Sequence, residues 1–484
     1  MRVPNFMIPP ASVPADGHTP MIKGELRSPS EPSEFLSRAE CIALFDKIVG
    51  MANGGGETRV TIGSTWSAWT HWVRSRVHVS AETRTATIVI TRTVRGALGT
   101  TTTTRLDAEG LRHAVRDAEQ SAMLRDEQYE NFEEPVVEEP ILHPTLWDDA
   151  TYRFSADART HLAQELLRGA DDAGLLAFGG LTINASGLAT LATNDPVRYY
   201  PTTEVVCSVT VRNPAGTASG WAGVNHYALN KIDPNAIAAR ALDKCQHLDK
   251  PSAIEPGRYT VILEPQAIAD LFVPVLYWLS RESAERPEGP FGGREPGRSK
   301  IGERVLDPRL MLGADPMDPD GGFLPYELWT GVPYQSVNWV ERGVLCALAY
   351  DKRYALRFLH LDKALPSARS FRLAPAPDVP TSTIEEMVAR TQRGLLVTRL
   401  DGVRLIDMKS LLCTGYTRDG IWLIENGKVT RPIKNFRFSE SPLLVLNRVE
   451  DVGVAQRVFA PGYAYVAPAV RVRDFNFTSL ADGV

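Results

Sequence analysis

The stretch 420-GIWLIENGKVTRPIKNFRF-438 predicts a β-hairpin. Two apolar, β-prone runs flank Asn426-Gly427, and both of these residues tolerate the positive φ that a type I′ turn requires. Strand-like runs also occur upstream, including 71–80 and 85–94, the second of which alternates regularly between apolar and polar residues. Because these runs are mixed with separate helical segments, we expect an α+β fold of largely antiparallel sheets with flanking helices and a β-rich C-terminal domain.

Helical segments are marked by their periodicity and by their caps. Ser37 and Glu40 fit a capping box ahead of the apolar run CIALFDKIV. A buried, apolar helix is expected within LEPQAIADLFVPVLYWLSRES (263–283), directly after the strand-like YTVI. Other segments with helical periodicity are 106–122, 155–174, 233–249 and 382–394, and Gly394 is expected to end the last of them.

Composition changes along the chain indicate its domain organisation. The 484 residues are enough for several domains of about 100–200 residues each. We expect a flexible Pro-rich arm (1–34), an N-terminal α+β domain (35–125), an acidic linker (126–145), a middle α+β domain (146–250) and the β-rich C-terminal domain (251–484).

The bulk composition is that of an ordinary soluble protein, with 43% hydrophobic and 23% charged residues. A net charge of −5 without a basic block argues against nucleic-acid or polybasic membrane binding. The N-terminus lacks the apolar core of a secretory signal, and no apolar run reaches the ~18 residues of a membrane span. The five cysteines form no CxxC pair, which favours buried thiols in a reducing cytoplasm.

Motifs that would carry chemistry are weak or incomplete. None of the nine histidines begins HExxH or HExxxH, and no GxSxG occurs. Residues 292–299 nearly spell a P-loop, but Arg298 replaces the phosphate-binding Lys and Pro296 removes a main-chain donor. Residues 316–327 partly match a calcium loop, but Pro316 would occupy its first ligand position, so an acidic surface loop is expected. Cys346 and Cys413 lie in apolar runs, where inert core thiols are expected.

Several segments in the same order resemble the TldD/PmbA (TldE) family. The resemblance is strongest in WLIENGKVTRPIKNFRFSESPL (422–443) and its upstream segments TGYTRDG and TQRGLLVTRLDG. Further matching segments are INASGLATLATN (183–194), YTVILEPQAIADLF (259–272) and SVNWVERGVLCALAYDKRYA (336–355). Together they extend the resemblance over about residues 37 to 480.

The resemblance implies a two-subunit metallopeptidase that acts on small or unfolded peptides. In this family the TldD-type subunit carries HExxxH on a helix and a cysteine ligand near its C-terminus, whereas the PmbA/TldE-type subunit lacks these ligands. Here Pro265 and Gln266 stand at the His-Glu positions and Asp270 at the second His, and 454–479 contains no cysteine. The chain therefore resembles a PmbA/TldE-type member, with no catalytic or metal-binding residue and no cofactor of its own.

From this resemblance we expect a TldD-like catalytic subunit as heterodimer partner, with zinc in that partner, and a peptide substrate. A homodimeric peptide-binding or scaffolding protein without catalysis is the alternative. An enzyme that uses a different, unrecognised site is a third hypothesis.

Overall fold

The computed structural model describes residues 34–124, 144–246, 251–286, 289–295 and 297–481. The expected arm and acidic linker therefore lie almost wholly outside the described residues, and the domain boundaries stay predictions. Among the described residues, no helix is both long and apolar enough to cross a membrane.

The first half of the chain builds one six-stranded antiparallel sheet. Its strands are β1 (Thr58–Val73), β2 (Arg76–Val94), β3 (Ala97–Thr103), β4 (Leu176–Ala192), β5 (Asp195–Arg212) and β6 (Ser219–His226). Their spatial order is β3-β2-β1-β4-β5-β6, so β1 pairs with β4 across more than a hundred residues of sequence. Strands from the two predicted α+β domains thus share a single sheet.

Helices cover one face of this sheet. They are α1 (Arg38–Met51), α2 (Ala108–Met123), α3 (Asp149–Tyr152), α4 (Ala156–Asp172) and α5 (Pro234–Gln246), with a short 3₁₀ turn at Leu229–Lys231. Alternate residues of β1 supply the core beneath them, with Val60 and Ile62 in one cluster and Trp66 and Trp72 in another. The predicted capping box at Ser37 is confirmed, because its hydroxyl accepts from Glu40 N while its own N–H donates to Glu40 Oε2.

The second half contains two further sheets and short helices. The strands are β7 (Gly257–Leu263), β8 (Leu310–Ala314), β9 (Val337–Glu341), β10 (Val344–Leu345), β11 (Phe371–Pro375), β12 (Arg393–Asp407), β13 (Leu412–Glu425), β14 (Lys428–Pro432), β15 (Phe436–Glu440), β16 (Val449–Val452), β17 (Gln456–Val458), β18 (Tyr465–Ala467) and β19 (Val470–Leu480). The helices are α6 (Pro265–Leu276), α7 (Arg281–Ala284), α8 (Lys352–Tyr354), α9 (Ile384–Ala389) and α10 (Pro442–Val445), and a π-helical turn spans Ala355–Leu359.

Five strands of the seven-stranded sheet close on themselves. They follow the order β12-β7-β19-β15-β13, and β13 pairs again with β12. The six-stranded sheet has the order β10-β9-β8-β11-β18-β17. Parallel pairing occurs between β7 and β12 and between β11 and β18, and the other pairs of named strands are antiparallel. The expected α+β, largely antiparallel fold is confirmed.

The hairpin at 420–438 is confirmed, with β13 and β14 joined at Asn426 (φ 52°) and Gly427 (φ 74°). The β-rich segment 71–80 contains the turn between two strands, because Arg74 and Ser75 adopt positive φ and join β1 to β2. One local prediction was wrong. The helix predicted at 382–394 ends at Ala389, and Gly394 lies in β12, where a Cβ would come within 2.6 Å of the Thr260 carbonyl on β7. Close strand approach, not a helix cap, therefore explains this glycine.

Candidate functional site

The start of α6 lies where the two halves of the chain meet. β7 enters α6 through Glu264, and the expected buried helix is confirmed over Pro265–Leu276. Its apolar side packs into the core of the second half, with Leu271, Phe272 and Val275 each about 1% exposed. Glu264 contacts α5 of the first half, and α6 itself contacts the segment that follows β17.

Gln266 bridges α6 and that later segment. Its Oε1 accepts from the Phe459 N–H at 2.9 Å, and its Nε2 donates to the Phe459 carbonyl at 3.3 Å. The same Nε2 donates to Asp270 Oδ1 at 2.8 Å. These contacts fix the orientation of the amide, since reversing it would place its N–H group against the Phe459 N–H and its oxygen against two acceptors. Gln266, at one of the family's metal positions, is thus in direct contact with the segment 454–479, where the catalytic relatives are expected to keep a cysteine ligand.

Asp270 is a partly buried carboxylate with both oxygens engaged. Oδ1 accepts from Gln266, and Oδ2 accepts from the Leu400 N–H at 3.0 Å. Burial raises the pKa of Asp270 to about 6, while the nearby charge of Arg399 opposes this rise. Asp270 therefore ties α6 to β12.

A partly buried ion pair joins the two halves at Glu264, the residue that precedes α6. Lys244, on α5, donates to Glu264 Oε2 at 2.7 Å, to Oε1 at 3.0 Å and to Thr398 Oγ1 at 3.2 Å. The side chains of Lys244 and Glu264 are 12% and 18% exposed. Burial lowers the pKa of Lys244, and the charge of Glu264 counteracts that effect. This ion pair thus joins α5 to the residue that precedes α6.

A second ion pair lies on the same boundary. Arg399 Nε is 2.8 Å from Asp419 Oδ2, and Ser219 Oγ on β6 donates to Asp419 Oδ1 at 2.7 Å. The Arg399 guanidinium also lies 4.6 Å from the centre of the Trp221 ring, a cation–π contact. Trp221 in turn packs edge-on against Phe459. Two ion pairs, each with its own carboxylate, therefore lie on the boundary between the two halves.

A row of polar side chains crosses the sheet face opposite the helices. Ser67 Oγ donates to Asn184 Oδ1 at 2.8 Å, and Asn184 Nδ2 donates to Glu204 Oε2 at 3.3 Å. Glu204 Oε1 also accepts from Asn225 Nδ2 and from the Gly462 N–H, each at 2.9 Å. Burial raises the pKa of Glu204. The row therefore runs over β1, β4, β5 and β6 and ends at the C-terminal half.

The residues at the family's metal positions do not fit a zinc ion. Pro265 offers no donor side chain, and the two amide atoms of Gln266 are committed to Phe459 and Asp270. Asp270 supplies one carboxylate whose oxygens already accept hydrogen bonds. Among the described residues, no group of three His, Cys, Asp or Glu is placed to hold a metal ion.

Two other sequence hypotheses can be compared with the structure. Asp318 and Asp320, from the calcium-like stretch, bind Arg372 at 2.5 Å and 3.0 Å, so the stretch is an ion-paired loop. Cys413 is buried, as expected, and burial raises its pKa to about 11. The interpretation of Cys346 as a core thiol was wrong, because its side chain is exposed just after β10.

Sequence reasoning missed Lys244, Glu264, Glu204 and Arg399, whose partners lie 20 or more residues away along the chain. The only sequence signal concerned Glu204, because its partner Asn184 lies in the segment 183–194 that resembles the family. Charged residues in amphipathic segments usually mark solvated faces, so spacing alone could not single these four out.

Comparisons with known proteins agree with the fold and the resemblance. Residues 256–479 match the family profile of the PmbA/TldA metallopeptidase C-terminal domain. A search among curated proteins returned no match to the sequence.

Three solved structures share the fold over most of the chain. TldE from Thermococcus kodakarensis superimposes with a TM-score of 0.74 at 16% identity, covering 91% of this chain and 100% of that one. A candidate modulator of DNA gyrase from Bacteroides thetaiotaomicron has the same TM-score and identity, covering 91% and 98%. A second candidate gyrase modulator, from Thermotoga maritima, gives 0.74 at 17% identity, covering 90% and 100%.

Proposed function

We propose that this chain, a member of the TldD/PmbA family through its C-terminal domain, is the non-catalytic subunit of a heterodimeric metallopeptidase of the TldD/TldE type. In this proposal a TldD-like partner carries zinc and performs hydrolysis, and the chain described here helps to bind small or unfolded peptides. The observation that carries the proposal is the contact of Gln266 with Phe459 and Asp270.

The chemistry of metal-assisted hydrolysis explains why this contact matters. A catalytic zinc needs three protein ligands and a carboxylate that takes a proton from its bound water. Gln266 stands where that carboxylate is expected, and an amide cannot act as a base. Its donors and acceptor hold the main chain in place instead. The local structure thus favours a packing role for the start of α6.

In the proposal, the peptide binds the face of the first sheet that lies opposite the helices. Contacts of the C-terminal half with this face include those of Gly462 with Glu204 and of the Leu328 carbonyl with the hydroxyls of Thr61 and Thr190. Between these contacts lie half-buried hydroxyl side chains on neighbouring strands, namely Thr65, Ser67, Ser186 and Thr202. Hydroxyl groups can both donate to and accept from a peptide main chain, which supports binding with little sequence preference.

The cytoplasmic location is part of this proposal. Cys41, Cys207, Cys245 and Cys413 are buried and free. Free thiols of this kind are typical of reducing compartments, where disulfides are rare. The proposal includes no contact with nucleic acid or with a membrane.

Co-purification tests the pairing. The genome of origin is searched for an HExxxH-carrying relative, whose absence would contradict the proposal. The chain is then expressed together with that relative, with an affinity tag on one chain only. We expect a complex with one copy of each chain, and zinc that follows the relative when the chains are separated. If the two chains elute apart while this chain forms a stable homodimer, the homodimeric binding protein is the better explanation.

A further inference from the structure

A closed surface loop projects from the C-terminal half. Tyr350 and Leu365 exchange both main-chain hydrogen bonds, each 2.9 Å long, and so close residues 351–364 into an Ω-loop. Within the loop, α8 continues into the π-helical turn Ala355–Leu359. The turn ends at His360, which has a left-handed conformation with φ 55°. The Leu361 N–H then donates to the Ala355 carbonyl at 3.1 Å.

The loop is anchored to the body of the protein on its inner side. Tyr354 and Ala355 are buried, and the Tyr354 hydroxyl donates to the Glu285 carboxylate just after α7. The ring of Tyr354 also contacts those of Tyr350 and Phe358, at centroid distances of 6.3 Å and 5.0 Å. Asp351 caps the helical turn by accepting from the Tyr354 N–H at 2.6 Å. The loop therefore holds a defined conformation and can present its outer side chains with little ordering cost.

Large apolar side chains cover the outer side of this loop. Leu356 is 52% exposed, Phe358 57% and Leu361 47%. Single exposed apolar residues are common on protein surfaces and need no explanation. These three exposed apolar side chains, here called the patch, lie within six residues of one anchored loop, and such a concentration marks a contact with another molecule.

The charges around the patch indicate what covers it. The loop carries four cations, Lys352, Arg353, Arg357 and Lys363, against the two acids Asp351 and Asp362, although the whole chain has a net charge of −5. The Arg357 guanidinium lies 5.3 Å from the centre of the Phe358 ring, so apolar and cationic groups form one surface. Such a surface is complementary to an apolar groove with an acidic rim.

We propose that the Ω-loop 351–364 inserts Leu356, Phe358 and Leu361 into an acidic-rimmed apolar groove of the catalytic partner subunit. The identity of this occupant rests on the proposed function. Aromatic and arginine side chains at the centre of a contact contribute most to binding, which assigns the largest effects to Phe358 and Arg357. Anionic membranes are recognised by clusters of about four to eight Lys and Arg. The loop has four such cations, the lower limit of that range, and Asp351 and Asp362 reduce its net charge further. An apolar groove on a protein therefore fits the loop better than an anionic membrane.

The test compares variants of the loop with a matched variant elsewhere. Phe358→Asp and Leu361→Asp each place a carboxylate in the patch, whereas Val454→Asp does the same at a 69% exposed residue outside the loop. Binding to the HExxxH-carrying relative is measured by titration, with thermal melting of each variant as a check of folding. We expect Phe358→Asp to weaken binding by about 30-fold or more, as for a central hot spot. Val454→Asp should bind like the wild type, and Arg357→Glu should weaken binding most at low salt.

The outcomes separate this proposal from the proposed function. If the wild type and all three aspartate variants bind the relative equally well, the loop is not the interface, and the heterodimer itself stands. If the wild type does not bind the relative, the proposed function fails and this occupant fails with it. Two further assays use the chain alone. Loss of self-association in Phe358→Asp would identify a second copy as the occupant. Loss of binding to phosphatidylserine vesicles would identify a membrane, and either result would overturn the proposal.

Discussion

The side-chain amide of Gln266 binds the main chain of Phe459 through both of its polar ends, accepting from the N–H at 2.9 Å and donating to the carbonyl at 3.3 Å. The two residues are 193 positions apart in the sequence. The pair connects the first turn of α6 to the segment after β17, which are the two regions where the catalytic relatives are expected to keep metal ligands. In this chain the same two regions are joined by a structural contact.

Replacing Gln266 by Glu should destabilise the fold at neutral pH. A carboxylate in place of the amide removes the donor to the Phe459 carbonyl and places a second negative charge beside Asp270. We expect the free energy of unfolding to fall by about 1–3 kcal/mol, as for a buried group left without its partner. Urea unfolding at pH 7 and at pH 5 measures this, and the loss should be smaller at pH 5. Gln164→Glu, on the exposed side of α4, is the control. Equal losses for both variants would contradict the account.

Asp270 should make stability depend on pH between about 4 and 6. Its pKa rises from the ordinary 3.8 to about 6 in the folded protein, so the folded state binds the proton more tightly than the unfolded state. The stabilising effect of protonation is therefore complete below pH 4 and is lost as the pH rises through 6, by at most about 3 kcal/mol. The measurement is the free energy of unfolding of wild type minus that of Asp270→Asn across this range. A difference that does not fall with rising pH would rule the interpretation out.

The ion pair of Lys244 and Glu264 should behave as a coupled unit. Removing one partner leaves the other as an uncompensated charge in a nearly buried site. We expect Lys244→Met alone to cost about 3–5 kcal/mol, and Lys244→Met combined with Glu264→Leu to recover much of that loss. A double-mutant cycle of urea unfolding provides the coupling energy. Strictly additive effects would show that the two charges do not depend on each other.

Restoring the helix motif alone should not create a zinc site. Pro265→His, Gln266→Glu and Asp270→His together supply the family's helix ligands, but 454–479 contains no cysteine and the Phe459 side chain packs against Trp221. After dialysis against zinc, we expect the triple variant to retain no more metal than the wild type by elemental analysis. One zinc ion retained per chain would show that the helix positions suffice.

Local features of the fold could be predicted where a short segment determines its own conformation. Asn426-Gly427 allows the positive φ of its turn, and Ser37 with Glu40 caps α1 through contacts three residues apart. The same reasoning failed at Gly394. There a glycine that looks like a helix cap is required by a parallel strand more than a hundred residues away. Positive φ at Arg74 and Ser75 gave no signal, because neither residue type is typical of such a turn.

The candidate site could be located from the sequence only through the family resemblance, and its contacts could not. The resemblance identified the positions of Pro265, Gln266 and Asp270. It did not predict that Gln266 binds Phe459 or that Asp270 binds Leu400. Lys244 reaches Glu264 from a different helix, and Glu204 meets Gly462 across 258 residues. Pairings of this kind depend on how sheets and helices pack, which hydrophobic periodicity does not specify.

The central claim is tested most directly by a peptide cleavage assay. The chain and its HExxxH-carrying relative are purified separately, and each is assayed alone and mixed, on an unfolded peptide, before and after removal of metal by a chelator. The account predicts no cleavage by this chain alone and cleavage by the mixture that exceeds that of the relative alone. Metal removal should abolish the activity of the mixture. Cleavage of the peptide by this chain alone, after complete metal removal, would contradict the assignment as a non-catalytic subunit.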